Sequence, residues 1–168
     1  MSTLIDRAKF FAEVAHAGQT RKYSDDPYIT HPIRVSEIVA HNQGTDEMIA
    51  AALLHDVVED TPVTHDEILD KFGANVSDLV FGLTDVDLSK GNRKTRKALD
   101  RDRIASSSAD VQLIKLADFI DNTTSIVQHD PSFAKLYLQE KSQMLDVMDK
   151  VKDHPLFRIA SIPIAEAA

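Results

Sequence analysis

Apolar residues in this chain recur every three or four positions, the spacing that lines one face of an α-helix. In the first segment with this pattern, residues 3–17, the apolar positions are Leu4, Ile5, Ala8, Phe11, Ala12 and Ala15. The whole pattern predicts helices at about 3–17, 32–41, 45–61, 64–73, 76–84, 93–105, 111–126 and 131–148. The sequence therefore predicts an all-α fold of roughly eight helices in one domain.

Several predicted helix ends coincide with residues that favour such positions. Pro32 suits the first turn of the second helix, and Thr64 with Glu67 forms a capping-box pattern that opens the fourth. The third helix is predicted to be capped by Thr45 or Asp46 and to run without interruption to about position 61. The apolar tail from Pro155 is expected to pack on the body of the protein or at an interface.

Composition restricts where the protein works and which chemistry it uses. The 168 residues include no cysteine, which excludes disulfides, thiolate zinc sites and cysteine nucleophiles and is consistent with a reducing compartment. The longest apolar run, residues 48–54, is far too short to span a membrane, and the N-terminus lacks the order of a signal peptide. We therefore predict a cytoplasmic protein without a membrane partner.

The net charge of −8 argues against nucleic-acid binding, which needs a basic surface. Positive charge is nevertheless concentrated in residues 90–103, where the residues that share one helix face are Arg93, Lys97 and Arg101. These residues either form a solvated surface paired with Asp100 and Asp102 or attract a small polyanion. The sequence favours the first interpretation for each residue alone and the second for the segment as a whole.

The segment HDVVED at residues 55–60 carries four side chains that can bind metals or transfer protons. On a single helix, positions i, i+3 and i+4 share a face, so these four would form a stripe from which Val57 and Val58 turn away. The apolar run before the segment would bury part of it, and burying several carboxylates is costly without a cation or hydrogen-bond donors. The segment therefore indicates a metal site.

Two further residues are candidate ligands beside His55 and Asp56. His31 precedes a proline, which disfavours the helical region and places it at a helix entrance, and Asp118 is a carboxylate within an apolar helix. Each has a structural alternative, which is helix capping for His31 and a salt bridge to an arginine for Asp118. Together, two histidines and two aspartates from three helices favour Mn²⁺, Fe²⁺ or Co²⁺ over a closed zinc site.

The order of these residues resembles the HD phosphohydrolase superfamily, in which an H…HD…D set holds the metal. Other segments narrow the resemblance to the hydrolase domain of Rel/Spo stringent-response enzymes and to the small alarmone hydrolases. These segments are 21–23 with 27–32, then 52–61 followed by Thr64, 67–68 and 72–73, and finally 115–118 with Asn122. The resemblance covers about residues 8–145 and implies a single HD domain at 1–168, with a core at about 3–150 and a short tail at 151–168.

The resemblance implies an active enzyme that removes pyrophosphate from the 3′ position of ppGpp-like nucleotides, with one Mn²⁺ ion per chain. The implied metal ligands are His31, His55, Asp56 and Asp118. Glu59 and Asp60 lie one turn beyond the ligands and are the expected catalytic groups, placed to accept a proton from water. The alternative for both is a surface salt bridge or solvation of a helix end.

The residues expected to bind the substrate are Arg21, Lys22, Asn122, Lys115, Tyr137 and Lys141. Arg21 and Lys22 would meet the phosphates, unless they are only solvated loop cations. Asn122 would bind a ribose or phosphate oxygen, with a helix-surface hydrogen bond as its alternative. The alternative for Lys115 is to neutralise Asp118.

One departure from the family pattern leaves the substrate open. Many alarmone hydrolases carry an arginine two positions after the asparagine, whereas this chain has Thr124. The alternative substrates are ppApp and, for a phosphatase, NADPH or a nucleoside monophosphate. A nucleotide sensor without turnover is an alternative function, although the intact Glu59 and Asp60 count against it. The sequence determines neither the oligomeric state nor the physiological metal.

Overall fold

The computed structural model describes residues 2–167, and within that range the chain forms ten α-helices, two short 3₁₀ turns and no strand. An isolated antiparallel bridge joins Thr20 and Pro27. The chain divides into two compact units, and the boundary between them falls after Thr84. The predicted all-α fold is confirmed, with more helices in the described range than the sequence pattern indicated.

The first unit is built around one short apolar helix. Its helices are α1 (Leu4–Ala15), α2 (Thr30–His41), α3 (Asp46–Leu54), α4 (Val57–Asp60), α5 (His65–Phe72) and α6 (Ala74–Leu83). Helix α3 packs against α1, α2 and α6, and every side chain from position 50 to position 54 is buried. Because burial of apolar surface is the main stabilising contribution, α3 fixes where the residues that follow it lie.

Side chains at the helix starts satisfy backbone N–H groups that have no partner within their helix. Thr64 and Glu67 form the predicted capping box at the start of α5. The hydroxyl of Thr45 accepts the N–H of Met48, which makes Thr45 the N-cap of α3. Of the two caps predicted for this helix, the structure therefore has Thr45, and Asp46 is the first helical residue.

The second unit is built around the longest helix of the described chain. Its elements are a 3₁₀ turn at Leu88–Lys90, α7 (Arg93–Ser106), α8 (Ala109–His129), α9 (Pro131–Leu145), a 3₁₀ turn at Asp149–Val151 and α10 (Pro155–Glu166). Helix α8 packs against α9 and α10, and its Ile114, Leu116 and Ala117 are completely buried. The apolar tail forms α10 and packs on the body of this unit. No helix in the described part of the chain is long and hydrophobic enough to span a membrane.

The third predicted helix is interrupted within the HDVVED segment. Helix α3 ends at Leu54 and α4 begins at Val57, while Asp56 has φ −96° and ψ −7°. This conformation lies near the bridge region and breaks the helical hydrogen-bond ladder. The prediction of one continuous helix is therefore wrong. The Asp56 side chain makes no capping hydrogen bond and instead accepts one from Tyr28, a contact between distant segments that apolar periodicity does not reveal.

Candidate metal centre

His31 lies in the first turn of α2 and is almost completely buried, with 1% of its surface exposed. Its Nε2 is 3.5 Å from Oδ2 of Asp56. The ring meets the ring of His55 edge to face, with the two centroids 5.2 Å apart. Helix α2 therefore brings His31 beside the turn between α3 and α4, as two parts of one metal site require.

His55 directly follows α3, and the backbone fixes its tautomer. Its Nδ1 is 2.7 Å from the carbonyl oxygen of Ala52, which can only accept a hydrogen bond, so Nδ1 carries the proton. Nε2 of the neutral ring then holds a lone pair, and it lies 3.1 Å from Oδ2 of Asp56. A carbonyl bound to the far nitrogen is a common way to orient a histidine that binds a metal.

Tyr28 belongs to this site, although the sequence patterns predicted no role for it. Its hydroxyl donates to Oδ2 of Asp56 over 2.6 Å. Its ring packs against the rings of His31 and His16, with centroids 6.1 Å and 4.8 Å away. The available sequence signal was its position three residues before His31, within a segment that carries the family resemblance. Tyr28 fixes the direction of the Asp56 carboxylate.

The side chains of His31, His55 and Asp56 form a donor set that suits a cation. Both imidazoles approach the same carboxylate oxygen within 3.5 Å, and at His55 two acceptor atoms face each other across 3.1 Å. Acceptors at such a distance repel each other unless a proton or a metal ion compensates them. Imidazole nitrogen and carboxylate oxygen together suit divalent transition metals. The residues present therefore fit a divalent metal ion.

Glu59 and Asp60 lie in α4, and the side chains of both reach solvent. The pKa of the Asp60 carboxyl is raised, mainly by its partial removal from water and then by the charge of Asp56, while a hydrogen bond from Tyr28 opposes the rise. The backbone carbonyl of Asp60 accepts a hydrogen bond from Nε2 of Gln19 over 3.0 Å. The structure thus places two carboxylates near the candidate ligands, where they can meet water.

Arg21 and Lys22 lie in the loop between α1 and α2. The backbone N–H of Arg21 donates to the carbonyl of Asp26, and its guanidinium lies 5.8 Å from the centre of the Tyr28 ring. The ammonium of Lys22 lies 4.9 Å from the centre of the Tyr23 ring. Arg21 therefore contacts a residue that holds Asp56, and Lys22 is its neighbour in the chain.

In the second unit, Asp118 lies on α8 and is buried, with 6% of its surface exposed. Lys115, three residues earlier, places Nζ 3.1 Å from one carboxylate oxygen, and Asn122, four residues later, donates to the other over 2.7 Å. The salt bridge considered for Asp118 exists, but its partner is a lysine rather than the expected arginine. Lys115 and Asn122 both adopt the alternatives considered for them, because each binds this carboxylate.

Lysines also hold the carboxylates next to α7. Lys97 is 2.7 Å from Asp85 and 3.4 Å from Asp100, and Lys115 is 3.6 Å from Asp85. Burial by itself would raise the pKa of Asp85, but the charges of Lys115 and Lys97 outweigh it and lower that pKa. Asp100 also accepts the N–H of Val86 over 2.8 Å. The ion pairs therefore bind the segment before α7 to α7 itself.

Two residues of the basic face of α7, Arg93 and Lys97, pair with residues from outside the segment. Arg93 makes a bidentate contact with Glu140 of α9, with nitrogen–oxygen distances of 2.8 Å and 2.7 Å. The expected pairing with Asp100 is observed for Lys97, but the shorter contact of that lysine is with Asp85. Partners that lie far away along the chain cannot be found by helical spacing.

Tyr137 and Lys141 lie on one face of α9, where the lysine is buried and the tyrosine half-buried. Nζ of Lys141 donates to Oγ1 of Thr123 over 2.6 Å and lies 5.5 Å from the centre of the Phe119 ring. Burial lowers the pKa of Lys141 to about 8 and raises the pKa of the Tyr137 hydroxyl. Both residues line a cavity of about 70 Å³ together with Lys115. Three of the predicted substrate-binding residues thus meet within the second unit.

Sequence relatives of this chain are known. The family profile described as HD domain matches residues 8–144. The guanosine-3′,5′-bis(diphosphate) 3′-pyrophosphohydrolase of Haemophilus influenzae is 40% identical over 119 residues, which cover 68% of this chain and 17% of that protein. The bifunctional (p)ppGpp synthase/hydrolase SpoT of Escherichia coli is 40% identical over 124 residues, which cover 71% of this chain and 18% of that protein. The chain thus spans about a sixth of the length of these curated relatives.

Solved structures resemble the chain as well. A protein described as a metazoan ortholog of SpoT that hydrolyzes ppGpp matches with a TM-score of 0.86 and 29% identity, over 99% of this chain and 96% of that chain. The protein lmo0812 of Listeria monocytogenes matches with a TM-score of 0.70 and 25% identity, over 86% of this chain and 99% of that chain. Because the family profile covers most of the sequence, including every candidate ligand, the chain belongs to the HD domain family.

Proposed function

We propose that this chain is a metal-dependent hydrolase that removes pyrophosphate from the 3′ position of ppGpp-like nucleotides. The observation that carries the proposal is the convergence of His31 and His55 on Asp56, with Glu59 and Asp60 in the helix that follows. Support also comes from the relatives named as ppGpp 3′-pyrophosphohydrolases and from the metazoan protein described as hydrolysing ppGpp.

The proposed ligands of one Mn²⁺ ion per chain are His31, His55, Asp56 and Asp118. The first three are supported by their convergence in the first unit, and Asp118 by its buried, oriented carboxylate and its place in the family match. Two neutral and two anionic ligands leave coordination positions open, which suits Mn²⁺ better than a closed zinc site. When bound, such an ion polarises phosphoryl oxygens and lowers the pKa of water.

Glu59 and Asp60 are the proposed proton acceptors for the attacking water. A general base works best when its pKa approaches the operating pH, and the raised pKa of Asp60 is a shift in that direction. Tyr28 lies near both ligand and base, because its hydroxyl donates to Asp56 and its proximity to Asp60 opposes the rise in the pKa of that carboxyl.

Substrate recognition is proposed to rest on the residues predicted from the sequence. Arg21 and Lys22 supply positive charge in the first unit, which suits a nucleotide that carries two diphosphates. In the second unit, Lys115, Tyr137 and Lys141 line one cavity. Lys115 carries three N–H donors and Asn122 two, so both side chains can donate to more than one partner.

The proposed setting is the cytoplasm, with a small nucleotide as the partner and neither nucleic acid nor membrane. The absence of cysteine and the net charge of −8 support this part of the proposal.

Phosphorus-31 spectra of the products test the proposal directly. With Mn²⁺ present, ppGpp should yield GDP and intact pyrophosphate, because the bond that breaks lies next to the ribose. The panel includes ppApp, because Thr124 replaces an arginine of many alarmone hydrolases, and NADPH and GMP as phosphatase substrates. Orthophosphate as the only product contradicts the proposal, and binding of ppGpp without any turnover supports the sensor instead. Pyrophosphate from ppApp alone would assign the enzyme to adenine nucleotides.

A further inference from the structure

His16 is a buried histidine that the proposed reaction does not yet use. It caps the C-terminus of α1, and 2% of its surface is exposed. Its ring packs on the ring of Tyr28, with centroids 4.8 Å apart, and Nε2 is buried without a hydrogen-bond partner. A buried nitrogen without a hydrogen-bond partner has lost its hydration without compensation. An apolar ring in the same place would fill the space without this cost. The position of His16 therefore calls for a reason beyond packing.

Hydrogen bonds of fixed direction lead from His16 to α4. Nε2 of Gln19 donates to the backbone carbonyl of Asp60 over 3.0 Å, which directs Oε1 of the same amide towards His16. Nδ1 of His16 lies 2.8 Å from that Oε1, and an amide oxygen can only accept, so Nδ1 carries the proton. The order of donation is thus from imidazole to amide and from amide to the last residue of α4.

The loop between α1 and α2 holds Gln19 in place for this contact. Gly18 adopts φ +81°, a conformation that glycine tolerates and other residues rarely adopt, and it turns the chain directly after α1. The N–H of Gln19 donates to the carbonyl of His16, and the carbonyl of Gln19 accepts the N–H of Tyr28. With its backbone bound on both sides, Gln19 can transmit the orientation of His16 to Asp60.

Helix α4 needs such a connection because it is a single turn of four residues. One helical turn is not stable by itself, since nucleation fixes several residues for few hydrogen bonds. The direction in which Glu59 and Asp60 point therefore depends on contacts from outside the helix. The bond from Gln19 to the Asp60 carbonyl is such a contact.

We propose that His16 is a positioning residue for the hydrolysis proposed above, and that it holds the carboxylates of α4 in place through Gln19. The inference rests on the proposed function for its catalytic consequence, but the hydrogen-bond connection belongs to the protein itself.

Kinetics of single and double variants test the proposal. His16→Ala and Gln19→Ala should each lower kcat on ppGpp by about 10- to 100-fold, the range seen when a partner that orients a functional residue is removed. KM should stay unchanged, because neither residue is proposed to touch the substrate. The double variant should lose no more than either single variant, since both changes remove one connection.

A conservative variant separates positioning from packing. In the His16→Asn variant, the side-chain N–H can replace the Nδ1 donor, so kcat should return to within a few fold of the wild-type value. In the His16→Gln variant, the amide lies farther from the backbone, so kcat should not recover. The matched control is His41→Ala, because His41 is an exposed histidine of α2 and its Nδ1 also bonds a helix carbonyl. A kcat for His16→Asn as low as that of His16→Ala overturns the proposal, as do additive losses in the double variant.

A measurement without substrate keeps this test independent of the proposed function. The carboxyl ¹³C resonance of Asp60 should move in both His16→Ala and Gln19→Ala but not in His41→Ala. If it does not move, the proposal is overturned whatever the enzyme hydrolyses. If the wild-type protein hydrolyses no nucleotide on the panel, the proposed function fails while this readout still decides the connection. Should His16→Ala fail to fold, Gln19→Ala tests the same bond, because Gln19 is only half-buried.

Discussion

The two units of the molecule hold their buried carboxylates by different means. In the first unit, Asp56 is approached by two imidazole rings and a tyrosine hydroxyl. In the second unit, Asp118 is bound by the ammonium of Lys115 and the amide of Asn122. A tyrosine hydroxyl donates a hydrogen bond without adding positive charge, whereas the ammonium of lysine adds a full positive charge.

The pKa values of two neighbouring carboxylates, Asp60 in the first unit and Asp85 in the second, also differ in the direction of their shifts. The pKa of Asp60 is raised by burial and by the charge of Asp56, whereas two lysines lower the pKa of Asp85 despite its burial. A raised pKa means that the folded protein disfavours the charged form, and a lowered pKa means that it favours that form. The folded first unit therefore disfavours the charged form of Asp60, while the folded second unit favours the charged form of Asp85.

The largest effect is expected when a proposed metal ligand is removed, and comparing the two units shows whether both contribute a ligand. Asp56→Ala and Asp118→Ala should each abolish measurable Mn²⁺ binding and hydrolysis, because each removes a charged donor from a site with about four protein ligands. Calorimetric titration with Mn²⁺ measures the loss, and Asp153→Ala, an exposed aspartate of the second unit, is the control. Full Mn²⁺ occupancy in Asp118→Ala would remove the second unit from the proposed metal site.

The next largest effect separates chemistry from metal binding within the first unit. Glu59→Gln keeps the shape of the side chain but cannot accept a proton, so turnover should fall by roughly 10²- to 10⁴-fold while Mn²⁺ binding persists. Steady-state kinetics and metal titration on the same sample measure both. Glu37→Gln, at an exposed position of α2, is the control. Normal turnover in both Glu59→Gln and Asp60→Asn would assign the base to another residue.

Removing one carboxylate charge should change the free energy of unfolding in opposite directions in the two units. In metal-free protein at pH 7, Asp85→Asn should lower the free energy of unfolding by about 1–3 kcal/mol, because Lys97 and Lys115 lose an anionic partner. Asp60→Asn should raise the free energy of unfolding, because the folded state disfavours the Asp60 charge. Urea unfolding measures both, with Asp25→Asn in an exposed loop as the control.

The pH dependence of these two variants provides a second check. The stabilisation by Asp85 exists above its unfolded pKa and is lost as the pH falls through its lowered folded pKa, so the deficit of Asp85→Asn should vanish in strong acid. The destabilisation by Asp60 exists above its raised folded pKa and should disappear as the pH falls through the unfolded value. Equal signs for both variants at pH 7 would contradict the contrast between the units.

The smallest expected effect concerns Lys141 in the second unit. Its folded pKa of about 8 lies below the unfolded value, so the unfolded chain binds more protons between the two, and the free energy of unfolding should rise from about pH 8 to pH 10. The contribution is at most about 1.4 kcal/mol per pH unit. Lys141→Met should lack this rise in urea titrations, whereas Lys135→Met, at an exposed position of α9, should keep it. A rise that persists in Lys141→Met would show that this ammonium is not its source.

Sequence patterns identified contacts that depend on one helix. Lys115, Asp118 and Asn122 meet because their spacing places them on the same face of α8, and that spacing is visible in the sequence. The fold class followed from the periodicity of apolar residues. His31 was chosen because it precedes a proline at a predicted helix entrance, and its order relative to His55 and Asp56 then resembled a known family.

Contacts between distant segments were not predictable in this way. The bond from Gln19 to Asp60 depends on a turn at Gly18 and on the packing of α1 against α3. The pairing of Arg93 with Glu140 joins two helices far apart in the sequence. The break after Leu54 was missed as well, because helix periodicity continues through residues 55–60 although the backbone leaves the helical conformation at Asp56.

The break between α3 and α4 has a consequence for how this chain could change during evolution. Helix α3 ends at Leu54 and Val57 is still buried, but the two carboxylates proposed for proton transfer lie at exposed positions of α4. Substitutions at Glu59 and Asp60 therefore remove little buried surface, and the fold and the histidine pair should survive them. Two substitutions, at Glu59 and Asp60, would therefore convert the proposed hydrolase into a receptor that still binds its nucleotide.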